Sequence, residues 1–240
     1  MYSFCVRLQL FFISFFLILI TLTPTGCVDL SNTKYFSKSQ LTHQPINTSK
    51  LDYKGKKKSL RIGEVHTMRG GLGIFSIGMN QLQTAISEQY KVPASSSMWY
   101  NAGKVSRSIV NYRYKHKSQR PIILIGHSLG ANEQIKVARN LDKEGIPVAL
   151  LVTIDAVSQT RVPANVNYVL NIYKPGFVPM FSGLKLVAVN PNTTHIENVN
   201  VNTLEGIQVN HFTIDKDKIV QAMILEYVER VLSYANTKKV

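Results

Sequence analysis

The chain has 240 residues and carries 28 Lys and Arg against 14 Asp and Glu, a formal net charge of +14. Hydrophobic residues make up 45% and charged residues 18%, which excludes a wholly disordered chain. The two cysteines, Cys5 and Cys27, both lie near the N-terminus. A scaffold of several disulfides and a thiolate zinc site are therefore excluded.

Residues 1–27 have the pattern of an export signal. Arg7 is followed by an apolar run over 10–20, which has the length of a signal-peptide core rather than of a membrane span. The pair Gly26-Cys27 then resembles the bacterial lipoprotein signal, in which Cys27 would be lipidated and become the first mature residue. Ordinary cleavage nearby and an uncleaved anchor are the alternatives. We expect an exported protein of a bacterial cell envelope, membrane-anchored and facing the periplasm or the exterior.

The positive charge is concentrated in two stretches. Residues 28–58 are polar and Lys-rich and predict a flexible basic tether, which leaves 59–240 as the folded domain. A second basic stretch spans 107–120. No helix-turn-helix, zinc-finger or aromatic-basic sheet motif accompanies the charge, so nucleic acid is not an expected partner. A basic surface close to anionic lipid is the favoured interpretation.

From residue 59 onward, strand-like and helix-like segments alternate. The strands are predicted over 60–67, 92–99, 121–125, 148–154, 165–173 and 184–189, and the helices over 76–90, 100–117, 128–143 and 216–235, with Ser76 as the first helix cap. Wholly apolar runs such as 121–125 are typical of parallel strands buried on both faces. The alternation predicts a three-layer α/β/α sandwich with a mostly parallel sheet.

The strongest chemical signal is Gly126-His127-Ser128-Leu129-Gly130, a G-x-S-x-G motif. It directly follows a buried strand and directly precedes a helix, the context in which this motif holds an exposed nucleophile. A tight turn strains the serine backbone, so both flanking positions require glycine. The motif predicts Ser128 as a nucleophile and assigns His127 a structural role.

A serine hydroxyl needs a base, and that base needs an orienting carboxylate. Asp155 ends the buried strand after the motif, where parallel sheets build their sites, and is the predicted acid. His211, before the last helix, is the predicted base, with His195 as its competitor. Asp215 and other acidic residues of the helices are interpreted as surface or capping groups.

Stabilising a tetrahedral intermediate also requires donors for its oxyanion. The backbone N–H of Leu129, which follows the nucleophile, is one predicted donor. The glycine-rich turn 69–73 supplies the other, with Gly71 as first choice and Leu72 as second.

These segments together resemble the α/β-hydrolase superfamily, in particular small bacterial exported serine hydrolases labelled thioesterase-like. The likeness rests on 69–79, 126–132, 153–155, 162–166 and 211–215, and it extends over most of 60–235. It implies a minimal α/β-hydrolase fold with the triad order Ser, Asp, His. The acid follows the strand just after the motif, one strand earlier than in the commonest arrangement, and the usual leading antiparallel strands are not expected.

The resemblance implies an esterase, lipase or thioesterase that transfers an acyl group to water through an acyl-enzyme on Ser128, with no cofactor and no metal. Export argues against coenzyme-A thioesters, so carboxylic esters, lipid-derived ones included, are the favoured small-molecule substrates. The apolar stretch 173–183 is predicted to border the site. The alternative is a non-catalytic envelope lipoprotein that uses the hydrolase scaffold to bind a ligand or a partner.

Overall fold

Six parallel strands form the central sheet of the computed structural model, which describes residues 61–71, 73–74 and 76–237, with side chains up to Ser233. The strands of the described residues, of which β5 and β7 lie outside the central sheet, are β1 Glu64–Arg69, β2 Ala94–Met98, β3 Ile122–His127, β4 Val148–Ile154, β5 Arg161–Val162, β6 Val166–Tyr173, β7 Val187–Ala188 and β8 His195–Asn200. The helices are α1 Gly78–Tyr90, α2 Ala102–His116, α3 Leu129–Lys143 and α4 Lys218–Thr237. The export segment with Cys27, the tether 28–58 and Leu72 lie outside the described residues.

The strand order is β2-β1-β3-β4-β6-β8, and every neighbouring pair is parallel. The chain runs from β1 to β2 on one side and then crosses back to β3 on the other side of β1. At such a switch in strand order a crevice opens, here at the carboxyl ends of β1 and β3. The turn after β1 and the G-x-S-x-G motif after β3 both begin at this crevice. The topology thus brings together two segments that lie more than 50 residues apart in the chain.

Apolar side chains leave the sheet on both faces and pack under two helix pairs. On one face, Ile123 and Ile125 of β3 join residues of α1 and α4 in one cluster. On the other face, Ile122 and Leu124 of the same strand join residues of α2 and α3. Successive residues of a strand point to opposite faces, so an unbroken apolar run is what a sheet covered on both sides needs. The predicted three-layer α/β/α sandwich is confirmed.

Several boundaries differ from the prediction. β1 starts at Glu64, because Arg61 pairs with Glu229 of α4 and Gly63 packs on Leu232 of the same helix before the chain enters the sheet. Leu184–Val189 does not enter the main sheet, since its observed strand β7 pairs with β5 in a separate two-stranded sheet. β8, the edge strand, was not predicted. Among the described residues, no helix combines the length and apolarity that a membrane span requires.

Candidate active site

Ser128 stands at a sharp turn between β3 and α3. Its φ of 58° and ψ of −124° lie in a region that non-glycine residues rarely adopt. A Cβ on Gly126 would be 2.4 Å from the Gly130 carbonyl oxygen, and a Cβ on Gly130 would be 2.3 Å from the Met68 carbonyl oxygen. Only glycine therefore fits on either side of the turn, which is the geometry that the motif predicts.

The three residues predicted as nucleophile, base and acid lie in one hydrogen-bonded chain. His211 Nε2 is 2.9 Å from Ser128 Oγ, and His211 Nδ1 is 3.1 Å from Asp155 Oδ2. All three side chains are buried. Asp155 lies 27 positions after Ser128 in sequence, and His211 lies 56 positions after Asp155. The fold brings the three side chains together at the carboxyl edge of the sheet.

The hydrogen bonds fix which ring nitrogen of His211 carries the proton. An ionised carboxylate only accepts, so Nδ1 donates to Asp155, and Nε2 is left to accept the Ser128 hydroxyl proton. Asp155 Oδ1 accepts a second bond from the Lys174 backbone N–H at 2.6 Å. A Cβ on Gly183 would lie 2.2 Å from the same oxygen. The carboxylate is therefore held on both oxygens, and the imidazole is oriented to receive a proton from Ser128.

A second buried chain of hydrogen bonds lies behind His211. His127 Nε2 is 2.9 Å from the His211 carbonyl oxygen, which only accepts, so this nitrogen carries the proton. His127 Nδ1 then accepts from Ser76 Oγ at 2.8 Å, and Ser76 Oγ accepts from the Gly70 N–H at 3.1 Å. Burial, with a smaller effect from His211, lowers the pKa of His127 to about 3. The neutral ring thus ties the turn after β1 to the backbone of the base.

Ser76 is therefore not the helix cap that its position predicts. The cap residue of α1 is Ile77, and it makes no side-chain hydrogen bond. Asp215, expected at the surface or as a local cap, is instead fully buried, and its Oδ2 accepts the Gly78 N–H at 2.8 Å. Burial raises the pKa of Asp215 to about 6. The loop that carries His211 is thus fastened to the start of α1, a contact that no local pattern indicates.

Two of the three predicted oxyanion donors, Leu129 and Gly71, belong to the described residues. Leu129 is the first residue of α3, where a backbone N–H has no partner within its own helix. Gly70 packs on the motif, since a Cβ there would be 2.8 Å from Ser128 Cβ and 3.0 Å from Leu129 N. Gly71 follows with a φ of +46°, and its carbonyl accepts from Trp99 Nε1. The donor roles of Leu129, Gly71 and Leu72 stay predictions.

His195, the competing base, lies far from Ser128. It begins β8 and pairs with Tyr168 near the start of β6, whereas Ser128 follows the end of β3. Because the strands of the sheet are parallel, the start of one strand and the end of another lie at opposite ends of the sheet, and so do His195 and Ser128. Within the described ranges, no group of three or more His, Cys, Asp or Glu side chains is arranged to hold a metal ion.

Aromatic side chains border the hydrogen-bonded chain on its open side. The ring of Phe181 is 5.5 Å from the His211 ring and 5.1 Å from the Phe212 ring, between centroids. Phe177 and Met180, in the same loop as Phe181, are exposed. The loop predicted to border the site therefore meets the base directly.

A scan against models of known protein families finds no match, and a search of curated proteins finds none. Among solved structures, a gene product of Listeria innocua is similar with a TM-score of 0.48 and 11% identity, over 70% of this chain and 94% of that one. Human thioesterase 2 is similar with a TM-score of 0.41 and 10% identity, over 72% and 97% of the two chains. A hydrolase of the α/β superfamily from Xanthomonas campestris has a TM-score of 0.35 and 11% identity, over 69% and 99%.

The arrangement within this chain is that of a minimal α/β-hydrolase fold. The order β2-β1-β3-β4-β6-β8, the strained serine after β3 and the histidine before α4 are its features here. Among the described residues the first strand is β1, and Asp155, the predicted acid, follows β4, the strand directly after α3.

Proposed function

We propose that this chain is a serine hydrolase that cleaves a carboxylic ester or thioester through an acyl-enzyme on Ser128. The observation that carries the proposal is the continuous contact from Ser128 Oγ through His211 to Asp155, at 2.9 Å and 3.1 Å. A buried imidazole oriented by a carboxylate is what a serine hydroxyl needs to become nucleophilic.

In the first half-reaction, Ser128 Oγ attacks the acyl carbon while its proton passes to His211 Nε2. The N–H of Leu129 and an N–H of the turn after β1 stabilise the oxyanion that forms. The C–O or C–S bond then breaks, and the leaving group takes the proton from His211. The Asp155 carboxylate stabilises the imidazolium that forms.

In the second half-reaction, water replaces the leaving group. His211 Nε2 takes a proton from water as its oxygen attacks the acyl carbon, and then returns the proton to Ser128 Oγ as the acid leaves. Carboxylic esters are the favoured substrates, because the export signal that residues 1–27 predict argues against coenzyme-A thioesters. An envelope location remains part of the proposal and rests on residues 1–27 alone.

The test is covalent labelling of the purified chain with a fluorophosphonate probe, which phosphonylates an activated serine and releases fluoride. We expect labelling of the parent, none of Ser128→Ala, and a rate at least about 10³-fold lower for His211→Ala. His195→Ala is the matched control and should label like the parent. A folded parent that stays unlabelled would overturn the proposal in favour of the binding lipoprotein.

A further inference from the structure

Exposed apolar side chains are concentrated around the candidate site. Ile74, Ile77, Phe177, Met180 and Phe181, which we call the apolar rim, are between 43% and 71% exposed. They come from two loops at the carboxyl edge of the sheet, the turn after β1 and the loop after β6. Exposed apolar side chains gathered in one region of a surface indicate a place where a partner binds.

The contacts of these loops place the apolar rim around Ser128. Phe181 lies against the His211 ring, at 5.5 Å between centroids. Ile77 directly precedes Gly78, which is hydrogen-bonded to Asp215 of the His211 loop. Ile74 belongs to the same turn as Gly70, which packs on Ser128. A partner that covers the apolar rim therefore also covers the nucleophile.

The charged side chains near the apolar rim indicate which kind of partner it contacts. Four lysines near the apolar rim are exposed or half-exposed: Lys174 and Lys185 in the loop after β6, Lys216 just before α4 and Lys218 at its first position. The acidic groups are mostly withdrawn, since Asp155 and Asp215 are fully buried and Asp217 accepts the first N–H groups of α4. Glu205 is the exposed carboxylate that remains in the loop before α4. Apolar tips among cations match a lipid surface with anionic headgroups.

We propose that the apolar rim inserts into an anionic lipid surface and that Ser128 acts on esters presented there. This inference rests on the proposed function for its catalytic half, whereas its binding half stands on the surface alone. Phe177 and Met180 would enter the acyl-chain boundary while the lysines meet headgroup phosphates. The ester carbonyl then reaches Ser128 from the lipid side, without the substrate dissolving in water.

Trp99 provides a local reporter for the test, because it is the chain's single tryptophan and its Nε1 donates to the Gly71 carbonyl beside the site. The full chain is titrated with vesicles of phosphatidylglycerol and brominated phosphatidylcholine, whose bromines quench tryptophan at short range. Any lipid affinity of residues 1–60 leaves this signal unchanged unless the carboxyl edge also meets the bilayer. We expect saturable quenching, and at least about fivefold more lipid required when phosphatidylglycerol is omitted.

The decisive variant is Phe177→Ser with Met180→Ser, which removes the two most exposed rim side chains and leaves Ser128 and His211 in place. We expect half-maximal quenching to need at least about tenfold more lipid, since two apolar groups no longer transfer from water. Tyr114→Ser, at an exposed site on α2, is the matched control and should behave like the parent.

Activity separates the two proposals. The rim variant should hydrolyse dissolved p-nitrophenyl acetate like the parent and lose turnover of a long-chain ester in the anionic vesicles. Unquenched Trp99, or equal quenching of the rim variant, would overturn docking even if the acetate is cleaved. Emission changes that depend on protein concentration without lipid would assign the surface to a second copy instead. Quenching without acetate hydrolysis or probe labelling would leave docking standing and overturn the hydrolase.

Discussion

Ser128 and Asp155 are the two described non-glycine residues that hold a positive φ without ending a helix, at 58° and 48°. Each is fixed by a backbone bond to a neighbouring strand: Ser128 N–H donates to Ile154, and Asp155 N–H donates to Ile172, both at 2.9 Å. Such conformations cost on the order of 1–3 kcal/mol each and persist only where the surroundings impose them. These backbone bonds to the sheet thus maintain the two strained conformations, which orient both side chains toward His211.

Asp155→Asn is expected to lower kcat by about 10⁴-fold, as the loss of the orienting carboxylate does in serine proteases. The Lys174 N–H requires an acceptor, so the new amide would keep its oxygen there and turn its NH₂ toward His211. His211 Nδ1 would then have to accept, and the proton would move to Nε2, where it blocks transfer from Ser128. Steady-state kinetics on a soluble ester measure the effect.

The control for this substitution is Asp142→Asn, which makes the same chemical change within α3 at an exposed site. It should leave kcat and KM at the parent values. An Asp155→Asn protein that is folded and keeps more than about a tenth of the parent kcat would show that His211 does not depend on this carboxylate.

At the scale of elements, the site depends on how closely the turn after β1 approaches the turn after β3. A Cβ on Gly70 would be 2.5 Å from the His127 carbonyl oxygen, whereas a Cβ on Gly71 would have no neighbour within 4 Å. The two adjacent glycines therefore have different functions. Gly70 permits contact between the turns, whereas Gly71 has room for a side chain and is constrained by its positive φ. Its backbone N–H, a predicted oxyanion donor, does not depend on the side chain.

Gly70→Ala should destabilise the protein by about 1–3 kcal/mol and slow fluorophosphonate labelling, because the two turns must separate. Gly71→Ala, the matched control, costs about 1 kcal/mol for its positive φ and should label at a rate close to that of the parent. Urea unfolding and labelling rates measure both effects. Equal behaviour of the two variants would argue against close contact between these turns.

Elements whose pattern is local were predicted well. β3 and β4 are confirmed from their apolar runs, and the predicted turn and helix of G-x-S-x-G were recovered within one residue. β8 was missed because its Asn-rich sequence has little strand propensity and pairs with β6 only in the assembled sheet. The hydrogen bond that the Gly78 N–H donates to Asp215 was missed for a related reason. Its partners are 137 residues apart, and no sequence pattern indicates that they pair.

For the whole molecule, folding withdraws titratable groups from water as well as apolar ones. Burial lowers the pKa of His66 to about 4 and, together with His211, that of His127 to about 3. Burial raises the pKa of Asp215 to about 6. Folding therefore excludes protons from two histidines and retains one on a carboxyl group. These opposite effects make stability depend on pH in a specific way.

Between about pH 4 and 6, the free energy of unfolding should rise with pH by about 1.4 kcal/mol per unit from these three groups. The unfolded chain binds a proton at each histidine below its ordinary pKa of 6.5, while the folded chain binds one more at Asp215. The net difference is about one proton in favour of the unfolded state, so the histidine contribution is lost as the pH falls. Urea titrations at half-unit steps measure the slope.

Two substitutions test the sign of each contribution. Asp215→Asn keeps an acceptor for the Gly78 N–H but removes the opposing titration, so the slope should rise by about 1.4 kcal/mol per pH unit. His66→Gln removes one histidine and should lower the slope by a similar amount, whereas His195→Gln, at an exposed ring, serves as the matched control and should leave it unchanged. A slope that Asp215→Asn lowers would mean that the carboxyl group is ionised in the folded protein at pH 5. The buried carboxylate would then stabilise the His211 loop by charge rather than as a neutral acid.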